Sequence, residues 1–219
     1  MIIAVEGADK AGKHTQVMRM VAYLNGRGIK TETLDFPQYK SPYGQKIKAY
    51  LNDEAHPTRE KVMQLFAEDR QAQMPLIKQW IDMGKWVVFD RYTYSNVYSI
   101  AKLPREQWLP EIAKLEDMEF NKMGIIRPDH NIYLYLPAQV SYDMRNQGLK
   151  EYQNGKPDIH ESNLKLLTDV ADVYKTIATQ DRKNWTVINE IKPDGCRMNP
   201  DEVFDCIRPI LNKFIDHTK

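Results

Sequence analysis

The chain has 219 residues, enough for one large domain with a sizeable core. Hydrophobic residues make up 42% and charged residues 28%, ordinary values for a globular protein, and the formal net charge of +1 leaves no global basic field for nucleic acid. No apolar run approaches the ~18 residues of a membrane span, and Met1 leads straight into apolar residues without the cationic start of a secretory signal. The two cysteines, Cys196 and Cys206, form no CxxC pair, so free thiols in a cytoplasmic protein are expected.

Helical and strand periods alternate along the chain. MIIAV (1–5) is a short, nearly all-apolar run of the kind a buried parallel strand needs. From Gly12 to Leu24, apolar Val17, Val21 and Leu24 recur at helical spacing, and Asn25-Gly26 stops the helix. Lys30 to Phe36 reads as a second strand, closed by Pro37, and Lys46 to Leu51 as a short helix. Thr58 to Gly84 is strongly helical, with Val62, Leu65, Phe66 and Asp69 along one face, then Leu76, Ile77, Trp80 and Ile81; Pro75 should kink or split it. WVVFD (86–90) is a third buried strand, followed by helices over Tyr92–Lys102 and Arg105–Met123. NIYLYL (131–136) is the fourth strand. Leu164, Leu167, Ala171, Tyr174 and Ala178 mark a long helix, WTVI (185–188) the fifth strand, and Pro200 to His217 the last helix.

This order predicts one three-layer α/β domain, because each crossover is long enough for parallel pairing. No repeat or Gly/Ser linker interrupts it. The polar stretch NQGLKEYQNGKP (146–157) has no aliphatic cluster to anchor it and is expected to be a mobile loop.

Two motifs carry chemistry. EGADKAGKHTQ (Glu6–Gln16) almost spells the phosphate loop GxxxxGK(S/T): Gly7, Gly12 and Lys13 are in place, but His14 stands where the hydroxyl should be. The loop follows a strand and opens a helix, which is the context phosphate binding requires: loop amides wrap the phosphate, the helix N-terminus adds its dipole, and Lys13 bridges the outer phosphates. In VVFDRYTYSN (Val87–Asn96), Asp90 ends a buried strand where a carboxylate that organises Mg²⁺ belongs, and Arg91 offers a planar fork for phosphate oxygens.

Taken together, EGADKAGK, LDFPQY, LFAEDR, FDRYTYSN and the downstream lid-like segment resemble thymidylate kinase (dTMP kinase) from about Ile2 to Trp185. The resemblance implies a P-loop NTPase fold of the nucleoside-monophosphate-kinase type over residues 1–219. It has a five-stranded parallel sheet of order 2-3-1-4-5, helices on both faces, and a lid at 146–157. It implies transfer of the γ-phosphoryl group of ATP to dTMP, Mg²⁺ as cofactor and a homodimer. The ATP-binding loop would comprise Gly7, Ala8, Asp9, Lys10, Ala11, Gly12, Lys13, His14 and Thr15, with Lys13, Arg91, Asp9 and Lys10 catalytic. Asp9 would meet the acceptor sugar 3′-hydroxyl, and Phe36, Pro37 and Tyr39 would line the acceptor phosphate side. Phe66 would stack on thymine, Arg70, Ser95 and Asn96 would meet its edge, Arg91 would lie between the two phosphate groups, and Tyr152 would lie over the nucleotide. Mg²⁺ would be held near Asp90, mostly indirectly.

The chain departs from the family pattern at three positions. Lys10 stands where some members have an arginine and others a glycine, those with glycine carrying arginines in the lid; here the lid region has only Arg145, Lys150 and Lys156. Ser99 replaces an aromatic that crowds the sugar 2′ position, with Tyr98 one residue early. His14 replaces the Mg²⁺-side hydroxyl. These leave room for a kinase of another deoxynucleoside monophosphate, or for a catalytically weak nucleotide-binding protein. DIHES (158–162) reads as a helix start, with Asp158 as N-cap and Glu161 at capping-box spacing, and not as a metal site.

Overall fold

Strand β1 (Ile2–Gly7) is buried at every position and occupies the centre of a parallel sheet with β2 (Thr31–Asp35), β3 (Trp86–Asp90), β4 (His130–Tyr135) and β5 (Trp185–Asn189). The order is β2-β3-β1-β4-β5, as the resemblance implies, and every pairing is parallel. A central parallel strand is covered on both faces, which is why its sequence is a continuous apolar run. The register sets Asp35 and Val5 against Asp90, so the carboxyl ends of β2, β3 and β1 lie side by side. This is the computed structural model, and it describes residues 1–153 and 155–216. Asn154 of the expected lid and His217 of the expected last helix lie outside the described residues.

The helices are α1 (Lys13–Gly26), α2 (Pro42–Leu51), α3 (Arg59–Ala72), α4 (Met74–Asp82), α5 (Val97–Ile100), α6 (Trp108–Glu116), α7 (Ala138–Asp143), α8 (Leu164–Gln180) and α9 (Pro200–Asp216). On one face, Val17, Met20 and Leu24 of α1 and Ile207 and Leu211 of α9 pack on Val5, Val88 and Ile132. On the other, α4 packs through Ile77 on Val87 and Phe89, and α5, α6 and α8 pack together around Tyr133 and Trp185.

Most differences from the expected elements have local causes. The Thr58–Gly84 helix is split at Gln73, and Pro75 falls in the first turn of α4, where its missing N–H leaves nothing unpaired. Helix α2 begins at Pro42, because Ser41 caps it: its Oγ accepts from Gly44 N at 2.9 Å. Arg105–Met123 is not one α-helix; α6 is flanked by a 3₁₀ turn at Arg105–Gln107 and a π turn at Asp117–Lys122. Similarly, Thr93–Asn96 is a 3₁₀ turn leading into α5. The short helix α7 was not expected.

The reading of DIHES as a helix start is corrected. Asp158 Oδ1 accepts from the backbone N–H groups of His160 and Glu161, both at 2.9 Å, which is capping geometry. It closes only a turn. Helix α8 starts at Leu164, with Asn163 as the cap, its Oδ1 accepting from Leu166 N at 3.0 Å. The side chains of Asp158, His160 and Glu161 are buried, and the segment is held by tertiary contacts that override the local helix signal.

Candidate active site

At the carboxyl ends of β1, β2 and β3 the chain encloses an open cavity of about 770 Å³. Each residue expected in the site lines it except Gly7, Ala8 and Ala11, which lie within the loop behind it. The loop begins at Gly7 because only glycine fits: a Cβ there would stand 2.5 Å from the Leu134 carbonyl oxygen of β4. Gly12, with φ 67°, turns the chain into α1 without a side-chain cap, so the helix presents its first amides to the cavity. Lys13 folds back to donate to Ala8 O at 2.7 Å. Burial, reinforced by the positive Arg91, brings the Lys13 ammonium down to about 8.

Arg91 is held in the left-handed region (φ 67°), a conformation that costs a non-glycine residue about 1–2 kcal/mol. Several contacts fix it there. Its guanidinium donates to Gly7 O at 3.0 Å and Asp9 Oδ1 at 2.8 Å, and the next amide, Tyr92 N, donates to Glu6 Oε1 at 2.9 Å. Burial pushes the Asp9 carboxyl up, but Arg91, Lys13 and Lys150 outweigh it and hold Asp9 well below the usual carboxylate range. Glu6 is fully buried and also accepts from Ser95 Oγ at 3.1 Å and Tyr174 Oη at 2.8 Å. Burial raises its carboxyl. Glu6 was not singled out from the sequence, although a glutamate inside an otherwise apolar strand, IIAVEG, was a visible signal.

The wall facing the loop is built from α2, α3 and the turn after β3. Asp69 on α3 accepts from Gln38 N and from Ser41 Oγ, both at 2.8 Å, and so ties the loop carrying Pro37 and Tyr39 to the helix. Phe36 is buried against Phe89 and Tyr92, with ring centroids 5.8 and 5.7 Å away, and serves the core as well as the cavity wall. Tyr39 stacks on Tyr152 at 4.1 Å, and Tyr152 is further pinned by Asn52 Nδ2, which donates to its carbonyl at 2.8 Å. Phe66 is half-buried on the wall. The Arg70 fork is engaged by buried Glu119, with Nη1 reaching Tyr92 O at 3.3 Å. Asn96 Nδ2 donates to Met63 O at 3.2 Å and Glu119 Oε1 at 2.9 Å, which fixes its amide orientation; its Oδ1 is buried without a partner among the described residues. Ser99 is buried beside Tyr98, whose ring stacks on His160 at 4.6 Å and whose hydroxyl is also unpartnered among the described residues. Glu119 was missed as a support of the site, and no local pattern marks it; Tyr98 was noted only as lying one residue before Ser99, and Asp158 and His160 only within the DIHES segment.

Residues 5–195 match the family described as thymidylate kinase. The chain belongs to the thymidylate kinase family. It is 32% identical over 155 residues to a thymidylate kinase of Homo sapiens, covering 70% of this chain and 69% of that protein. It is 29% identical over 191 residues to a thymidylate kinase of Arabidopsis thaliana, where the match covers 86% of this chain and 64% of the plant protein. A solved structure of thymidylate kinase from Candida albicans matches with a TM-score of 0.77 at 20% identity, over 99% of this chain and 92% of that one, a likeness of fold.

The end of the cavity beside Gly12 and Lys13 offers a carboxylate that suits a magnesium ion of the kind that nucleotides carry. Asp90 is partly exposed to the cavity, and His14 Nδ1 lies 3.6 Å from its Oδ2. Among the described residues no group of three or more His, Cys, Asp or Glu could hold a metal by itself. Such a sparse protein set suits Mg²⁺, which retains waters and takes its remaining oxygens from phosphates. Among the described residues no helix is long and apolar enough to cross a membrane.

Proposed function

We propose that this chain transfers the γ-phosphoryl group of ATP to dTMP, giving dTDP, with both nucleotides in the cavity at the carboxyl ends of β1, β2 and β3. The observation that carries the choice of acceptor is Asn96, which lines the cavity and whose buried Oδ1 has no partner among the described residues. A buried acceptor without a donor is costly, and the N3–H of thymine supplies one. Cytosine presents an acceptor at N3, so its only donor on that edge is the 4-amino group, at a different position on the ring. Phe66 provides the apolar face for the ring.

At the other end, phosphoryl transfer needs positioning and charge neutralisation more than covalent chemistry. Lys13 and the loop amides hold the ATP phosphates. Arg91 lies between donor and acceptor phosphates, and Asp9, kept ionised by Arg91, meets the acceptor sugar 3′-hydroxyl. Lys10 adds a further cation; without nucleotide its ammonium rests 3.2 Å from Glu161 Oε1, so it must exchange that partner for phosphate. Mg²⁺, with Asp90 and His14 on its protein side, would neutralise charge on the outer phosphates. Residues 146–157 act as the lid, with Tyr152 over the acceptor. The same proposal includes a homodimer, which sedimentation would test, and a cytoplasmic location, in accord with two exposed free thiols.

The test is ADP release over a panel of monophosphates. dTMP should be the best acceptor, ahead of dCMP, dGMP and dAMP. Faster turnover of a purine monophosphate would overturn the acceptor assignment, and absence of turnover with any of them would favour a binding protein.

A further inference from the structure

We infer that Arg197, outside the nucleotide cavity, is a positioning residue for Lys10 and through it for phosphoryl transfer. The inference rests on the proposal that Lys10 supplies charge to the transferring group. Arg197 lies between β5 and α9, in a short hairpin closed by Lys192 N donating to Cys196 O at 2.9 Å and Met198 N donating to Glu190 O at 2.7 Å. The hairpin fixes its backbone. Its side chain then bridges two elements: Nε and Nη2 reach Glu190 Oε2 at 2.9 and 2.8 Å, and Nη2 donates to the Lys10 carbonyl at 2.6 Å.

The Lys10 carbonyl is a meaningful place to be held. Lys10 has φ 68°, left-handed backbone that a long side chain rarely adopts and that persists only when its surroundings fix it. A guanidinium donor gives a charge-assisted hydrogen bond, stronger than the neutral alternative. One residue earlier, Ser141 Oγ donates to the Asp9 carbonyl at 2.8 Å, so successive carbonyls of the loop are held from outside. Releasing the Lys10 carbonyl lets its peptide turn, and with it the direction in which the Lys10 side chain leaves the loop. Glu190, 1% exposed, is the anchor that keeps the guanidinium in place.

The experiment is a double-mutant cycle in the full-length enzyme, reading kcat, KM for dTMP and thermal stability for Arg197→Ala, Lys10→Ala and the pair. Arg197→Ala should lower kcat about tenfold or more, as a misplaced catalytic group does. KM for dTMP should stay within about twofold, and in the Lys10→Ala background the added loss should also be under about twofold. Arg197→Lys, which keeps a cation for Glu190 but loses the fork, should recover stability more fully than kcat. Because Arg197→Ala strands the Glu190 charge, the same cycle is run with Arg197→Gln in a Glu190→Gln enzyme, where no buried carboxylate is left behind. Equal loss with and without Lys10, or an unchanged kcat, would overturn the inference while leaving dTMP kinase activity standing. If Lys10→Ala alone leaves kcat unchanged, the assignment of Lys10 fails and this inference fails with it.

Discussion

Arg70 and Glu119 meet fork to fork inside the protein, Nε to Oε2 at 2.9 Å and Nη2 to Oε1 at 2.5 Å, with side chains 1% and 0% exposed. Glu119 also accepts from Thr93 Oγ1 at 2.8 Å and Asn96 Nδ2 at 2.9 Å. One carboxylate from the π turn thus ties together Arg70, Thr93 and Asn96 at the end of the cavity proposed to hold the base.

Removing that carboxylate should be felt twice. Glu119→Ala leaves Arg70 charged and buried, a loss of about 3–5 kcal/mol by chemical denaturation. Glu119→Gln keeps the shape but weakens its hold on both Arg70 and Asn96. KM for dTMP should then rise severalfold while KM for ATP, bound at the other end, stays near its original value. Equal changes in both constants would show that Glu119 supports the fold and not the base pocket.

The Lys13 ammonium gives a pH signature. Its value near 8 is below that of an ordinary lysine, so in the free enzyme the charge is present below pH 8 and lost above it. kcat/KM for ATP, which reports the free enzyme, should fall on the alkaline side with a midpoint near pH 8. Bound phosphates favour the charged form, so the matching limb in kcat should lie at higher pH. Coincident limbs would assign the ionisation to another group.

Tyr98 should do the work expected of the missing ring at Ser99. It is buried, stacked on His160, and lines the cavity beside Ser99. Burial and the nearby Lys102 bring the His160 imidazolium down to about 3, so the stack is uncharged at neutral pH. Tyr98→Ala should therefore reduce the preference for dTMP over its ribo counterpart, and Ser99→Tyr should change that preference less. The reverse order would show that the 2′ side is open at Ser99, as the sequence suggested.

The features legible in the sequence and those hidden from it divide along physical lines. Strands β1 and β3 were legible because a buried parallel strand is a closed apolar run, and the phosphate loop because Gly7, Gly12 and Lys13 are fixed by local backbone needs. The split at Pro75 was legible for the same reason. Glu119 and Arg197 were not, since their roles depend on partners 23 or more residues away, Glu119 on Asn96 and Arg197 on Lys10; Tyr98 was visible beside Ser99, but its stack on His160 was not. DIHES misled because local capping geometry is real there, while tertiary contacts decide how the chain continues beyond it.

The last prediction concerns His14. The histidine occupies the position from which a hydroxyl would face Mg²⁺, and its side chain is 76% exposed, with Nδ1 3.6 Å from Asp90 Oδ2. Its neighbour Thr15 is exposed but cannot take over the role, because adjacent helix residues point about 100° apart. Mg²⁺ prefers oxygen ligands, so an imidazole is a poor substitute for the hydroxyl in positioning the metal. ATP binding should be largely spared, since Lys13 and the loop amides are unaffected. His14→Ser should therefore lower the Mg²⁺ concentration needed for half-maximal activity, or raise kcat, with little change in the affinity for metal-free ATP. Mn²⁺ accepts nitrogen more readily, so replacing Mg²⁺ with Mn²⁺ should help the natural enzyme more than the serine variant. The two titrations constrain each other. A gain from serine without a differential Mn²⁺ effect would place the defect in the shape of the side chain and not in its ligand chemistry. A serine variant slower than the natural enzyme at saturating Mg²⁺ would make the His14–Asp90 pair a working part of the site, with the histidine setting the orientation of the carboxylate beside the metal.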